Sequence, residues 1–305
     1  MARDPVSAFD RIDLSRLSVV VAQMGAPGAD EVERNLGILG IRQAKFAHDM
    51  DSIRSTMLAA KPDVLVCDTT KSVVRASEIT RGIRNQEMGT NPFLVVISMV
   101  EPTNQTDLAK TIDSGTDDLQ VWPFNRDVFV RRMNDLAWHR KKFVAVSSYI
   151  GPTRRSGNRP GRKSAEEFDV PNPVQATGTG VPREQQWKEI AIAAKALNTR
   201  KLNADVEMFR MLIHEVMPSY EASKVDDDFR RRIALLQQTI VEVDRRAKRL
   251  GFFTLSDLCM LAGNMVNDVA ENPVPPNLKH LRTMPKFVEG FEAALNEVPR
   301  APAIS

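Results

Sequence analysis

Few residues of this chain can do chemistry, and most of those stand at the ends of short apolar runs. Asp68 follows Val64–Cys67 (VLVC), Ser98 follows Phe93–Ile97 (FLVVI), and Trp122 closes Leu119–Trp122 within SGTDDLQVWPFN. A carboxylate or hydroxyl at a strand end commonly serves to hold nearby backbone amides. The four histidines, His48, His139, His214 and His280, are scattered; His214 in MLIHEVMPS neighbours Glu215 in sequence but on a different side of a helix. They make no zinc set. Cys67 and Cys259 are far apart, without metal or redox spacing, and read as two buried thiols in a reducing compartment. There is no nucleophile–base pair, no phosphate-cradling glycine loop and no metal cluster, so a metabolic enzyme is the class these residues support least. No catalytic residue, metal or cofactor is expected.

The runs that would position these residues alternate with helical patterns. Leu17–Ala22, Val64–Cys67 and Phe93–Ile97 are short, continuous and valine-rich, with weaker runs at Gln43–Ala47 and Leu119–Trp122. Such runs suit strands buried on both faces of a parallel sheet. Between them, Val32, Leu36 and Leu39 share a helical face, as do Ile53, Met57 and Leu58, Ile79 and Ile83, and Leu108 and Ile112. Val128, Met133 and Leu136 outline a fifth helix. Five strands and five helices in the first 140 residues predict a doubly wound α/β domain.

From 141 to 182 the texture turns rich in Gly, Pro, Ser and Thr, which predicts a linker with short extended pieces. The region 183–305 reads as an all-α bundle. One helix carries Trp187, Ile190, Ala194 and Leu197; a second carries Val206, Phe209, Leu212 and Val216 and stops at Pro218. The third has a seam of Phe229, Ile233, Leu236, Ile240, Val243, Ala247 and Leu250, ending at Gly251. That seam suits either the buried stripe of an intramolecular bundle or a homodimer interface. A fourth helix follows from Thr254, and a fifth, past PVPPN, is expected to kink or split at Pro285.

The charge balance, 42 Lys and Arg against 39 Asp and Glu, is unremarkable except in one place. His139–Lys163 holds eight Lys or Arg and no acid, a local basic tether. It lacks the interleaved aromatics of a nucleic-acid stacking platform. No apolar run approaches the ~18 residues of a membrane span, and the first residues do not read as a secretory signal. A cytoplasmic protein is expected.

Four segments in order, VVVAQM, PDVLVCDTT, PFLVVISM and SGTDDLQVWPF, resemble the receiver domain of bacterial response regulators over about Leu17 to Trp138. YIGPTRRS also resembles a stretch that follows some receivers. The resemblance implies a phosphoacceptor at Asp68 and a phosphoryl-contacting hydroxyl at Ser98. The Mg²⁺-holding acids of the family fall on Gln23 and Met24, its lysine on Trp122 and its aromatic switch on Leu119. Gln23 offers only a neutral carbonyl, Met24 nothing a hard cation wants, and Trp122 replaces a fixed charge with an apolar ring.

Phosphoryl transfer rests on positioning and on neutralising developing charge, and losing one such group costs ~3 kcal/mol in other enzymes. The resemblance therefore implies a degenerate receiver in a two-component signalling protein, acting by protein–protein interaction. The partners implied are other signalling proteins, a histidine kinase or a second copy, docking near Asp107–Ile112 and Asn125–Met133. One alternative is a genuine phosphoacceptor switched at Asp68 with Mg²⁺. Another is a nucleic-acid-binding transcriptional regulator using Arg154, Arg155, Arg159 and Arg162.

Overall fold

The computed structural model describes residues 12–23, 29–101, 105–154 and 166–297. Two compact units result, Met1–Ala194 and Lys195–Ser305. No helix among the described residues is long and apolar enough to cross a membrane.

The first unit is built on a parallel sheet of β1 (Ser18–Ala22), β2 (Gln43–Ala47), β3 (Val64–Asp68), β4 (Val95–Val100) and β5 (Asp118–Val121), ordered β2-β1-β3-β4-β5. Every residue of β1, β3 and β4 is buried, because helices cover both faces. On one face α1 (Ala29–Ile38) and α5 (Arg126–His139) bring Val32, Leu36, Phe129 and Met133 against Val19, Val21, Val66 and Ile97. On the other, α2 (Met50–Ala60) and α3 (Val73–Arg84) bring Ile53, Met57, Ile79 and Ile83 against Val20, Leu65 and Val96. Next to α3 lies α4 (Gln105–Asp113), which buries Thr111. The doubly wound architecture is the one expected.

Within 141–182, read from composition as a linker with short extended pieces, the described residues 141–154 and 166–182 are ordered elements. They form β6 (Phe143–Val146), β7 (Tyr149–Pro152) and β8 (Glu167–Phe168), an antiparallel sheet ordered β7-β6-β8, and the short helix α6 (Pro173–Gly178). A few apolar anchors suffice: Phe143 and Val174 are fully buried, and Ile150 nearly so. The Phe143 ring lies 6.1 Å from that of Phe93, with the Arg84 and Arg140 guanidiniums 5.1 and 5.0 Å from its centroid. Gly115 makes the contact with β7 possible. Its φ is +100°, and a Cβ there would stand 2.6 Å from the Ile150 carbonyl oxygen. Arg155, Arg159 and Arg162 of the basic run lie outside the described residues.

The second unit is helical. Helix α7 (Arg183–Glu221) begins in the first unit and ends in the second; α8 (Asp227–Leu250), α9 (Phe253–Glu271) and α10 (Leu278–Leu295) follow. The two helices expected between Trp187 and Pro218 are one. The stretch between them, Asn198–Asp205, is helical, with Leu202 fully buried and Asn198, Lys201 and Asp205 buried and satisfied. Pro218 lies in the last turn of α7, and α10 continues through Pro285 without splitting. All seven seam residues of α8 are buried in this unit's own core with Phe209, Leu255, Cys259 and Phe291. The seam is thus the buried stripe of an intramolecular bundle. Gly251 ends α8 at φ +83°, as its position predicted.

Candidate functional site

In a doubly wound sheet the carboxyl ends of the strands are where side chains meet ligands. Gln23 follows β1 there. Its backbone nitrogen donates to Ala47 O at 2.9 Å, and its carbonyl oxygen is 3.2 Å from His48 Nδ1. Its side chain is 2 % exposed, yet neither the amide oxygen nor the amide nitrogen has a hydrogen-bond partner among the described residues. Asp68 ends β3 at 4 % exposure. Its Oδ1 accepts from Thr70 N at 2.9 Å, an Asx turn that explains why an aspartate is favourable where the strand stops. Its Oδ2 has no hydrogen-bond partner among the described residues.

Ser98 is not beside Asp68. The register pairs Asp68 with Met99 and Cys67 with Ser98. Successive residues of a strand point to opposite faces, so Ser98 shares the face of Val96 and Asp68 that of Val66 and Met99. The Ser98 hydroxyl donates instead to Thr116 Oγ1 at 3.0 Å. β4 runs two residues past Ser98 and ends in Met99 and Val100.

Trp122 stands just beyond β5, its backbone nitrogen donating to Val100 O at 3.0 Å. The half-buried side chain packs on the cluster that contains Met99 and Phe124. An apolar wall therefore occupies the end of β5. Leu119 is half-buried and faces Ser98 across the β4–β5 ladder, and Met24 lies outside the described residues. Burial, with Asp68 adding to it, pushes the Cys67 thiol up to about 12, so this neighbour is no nucleophile. Among the described residues no group of three His, Cys, Asp or Glu could hold a metal ion. A cavity of about 260 Å³ opens at the β3–α3 turn, lined by Thr69, Thr70, Lys71, Glu101 and Asp107 among others; neither Asp68 nor Ser98 borders it.

The opposite end of the sheet holds a charge network that sequence reasoning missed. Asp117, the first acid of the TDD motif, is buried before β5. Its Oδ2 accepts from Arg84 Nη2 at 2.7 Å and Val96 N at 2.8 Å, and its Oδ1 from Arg140 Nε at 2.9 Å. Burial would raise its pKa, but Arg140 and Arg84 outweigh it and hold the carboxyl below the usual carboxylate range. Asp63, fully buried before β3, likewise receives Ser18 N, Thr177 Oγ1 and both terminal nitrogens of Arg183. The available signal was two acids flanking apolar runs, with no hint of which arginines reach them.

Chemically, the carboxyl end presents one buried carboxylate, one neutral amide and an apolar wall. Lys71, Glu101 and Asp107 line the neighbouring cavity, but among the described residues no ion pair or hydrogen bond joins any of them to Asp68. Compared with protein-family models and with curated proteins, the chain finds no match.

Proposed function

We propose that the first unit is a receiver-like domain in which phosphoryl transfer is lost, and that the protein works by docking other signalling proteins. The observation that carries this reading is the isolation of Asp68: the nearest hydroxyl in the motif set points to the other face, and Trp122 stands where a cation would be needed. A phosphoryl group adds close to two negative charges. Lodging them beside Gln23 and Met99 without a compensating cation is strongly unfavourable. Docking is supported by the face of α4, β5 and α5, where Val121 is 51 % exposed beside the exposed Lys110, Arg126, Arg131 and Arg132.

One observation favours a second reading, phosphorylation at Asp68: the Oδ2 atom that would accept the phosphoryl group is unengaged. Incubating the full chain with acetyl phosphate and Mg²⁺, followed by intact-mass measurement, separates the two. The docking reading expects no adduct of phosphate mass. An adduct that disappears in Asp68→Asn overturns it in favour of the second.

A further inference from the structure

Among the described residues, Asp68 differs from every other deeply buried acid. The other deeply buried carboxylates each have a cation: Asp63 has Arg183, Asp117 has Arg84 and Arg140, and Asp205 has Lys201 and Arg246. Asp68 is as buried as these, but among the described residues its hydrogen-bond partner is the neutral Thr70 amide. Gln23, just past the end of the adjacent strand β1, adds an amide oxygen and an amide nitrogen that are equally unengaged among the described residues. Buried polar atoms are almost always paired, and three unpaired ones at neighbouring strand ends call for a ligand. A water molecule can satisfy three hydrogen-bonding atoms, but it leaves the carboxylate charge without a counter-ion.

We propose that Asp68 and Gln23 form a binding site for an organic cation carrying N–H donors, a guanidinium or a primary ammonium. Such a group donates to Asp68 Oδ2 and Gln23 Oε1 and supplies the missing positive charge. One carboxylate and one neutral amide oxygen are a poor donor set for a hard divalent ion, which takes six or more oxygens from carboxylates, carbonyls and water. Met99, paired in register with Asp68, and Trp122, in the same apolar cluster, give the site a wall suited to the methylene stem or flat face of such a cation. The cation has two possible sources, a free small molecule or an arginine or lysine side chain of a docked partner. This site rests on the preceding reading only in taking Asp68 as unphosphorylated.

Titrating the full chain with L-arginine amide by calorimetry at constant ionic strength tests the site. The expected result is saturable binding with a Kd of about 1 mM or tighter, weakened at least about tenfold in Asp68→Asn, where the loss of one charge-assisted bond is enough for that factor. Tetramethylammonium, which has no N–H, is expected not to saturate. In the absence of any ligand, Asp68→Asn should melt no lower than the parent, since it removes an unpaired buried charge while keeping the side-chain shape. Comparing arginine amide with the tripeptide Ala-Arg-Ala distinguishes the sources: tighter binding of the peptide indicates a partner's side chain, and equal binding a free ligand. Absence of saturation by arginine amide overturns the proposal, as does saturation that Asp68→Asn leaves unchanged, or binding of Mg²⁺ alone. A phosphate adduct on Asp68 would instead sink the docking reading and leave this titration interpretable in the unmodified chain.

Discussion

Asp68 and Asp117 have the same side chain and nearly the same burial, yet opposite surroundings. Asp117 is gripped by two guanidiniums and a backbone amide, so both oxygens are engaged and its charge is balanced. Removing one partner of such a group leaves buried charge uncompensated, at a cost of about 3–5 kcal/mol. Asp117→Asn is therefore expected to lower the unfolding free energy in urea by about that much, because Arg84 is itself 1 % exposed. The pH dependence follows from the direction of the Asp117 shift. Its carboxyl titrates lower in the folded state than in the unfolded chain, where it titrates near ~3.9. Its stabilisation is thus complete above that unfolded value and is lost as the pH falls towards the folded one. Urea midpoints measured from pH 6 down through the acid limb should fall less steeply in Asp117→Asn than in the parent.

The elements that looked weakest carry much of the organisation of the first unit. β6 and β7 are four residues each and β8 is two, too short to stand alone. They are held by what lies beneath them: Phe143 among Phe93, Arg84 and Arg140, Tyr149 donating to Pro152 O at 2.8 Å, and Gly115 letting the β7 backbone approach. Phe143→Ala removes a fully buried ring from this junction and should cost about 3–5 kcal/mol. It should also expose the 141–182 stretch to limited proteolysis before the rest of the unit, a readout that an unattached linker would not show. Equal cleavage of parent and variant in that stretch would contradict its packing.

At the scale of the whole chain, the two units are stabilised by different means. The first places a valine-rich sheet between helices; the second is a helical core knitted by one heptad seam, with a charged knot of Lys201, Asp205 and Arg246 at its side. Leu236, fully buried at the middle of that seam, is expected to cost about 2–5 kcal/mol on replacement by Ala. Because the seam is internal, light scattering should give the same oligomeric state for parent and Leu236→Ala. A change of state would mean that the seam also serves an interface.

Much of this was legible in the residues. The valine runs, the helical faces between them and the α8 seam are periodic patterns, and a period is a local property that burial on one or two faces imprints on the chain. The same holds for the stop at Gly251 and the Asx turn at Asp68, each decided by one residue's own backbone preference. The merging of two expected helices into α7 was not legible, because inward-facing Asn198, Lys201 and Asp205 look like a polar gap until Arg246 is seen to satisfy them.

The sequence by itself determined the five strands of the parallel sheet, the helices between them and the seam of α8. Only the tertiary structure decided which side chains meet. Ser98 and Asp68 were separated by a single step of strand register, which turns a side chain to the other face of the sheet. Asp63 found Arg183 at a separation of 120 residues and Asp117 found Arg84 at 33. Charge has no period along a chain, so pairing of that kind is written only in three dimensions.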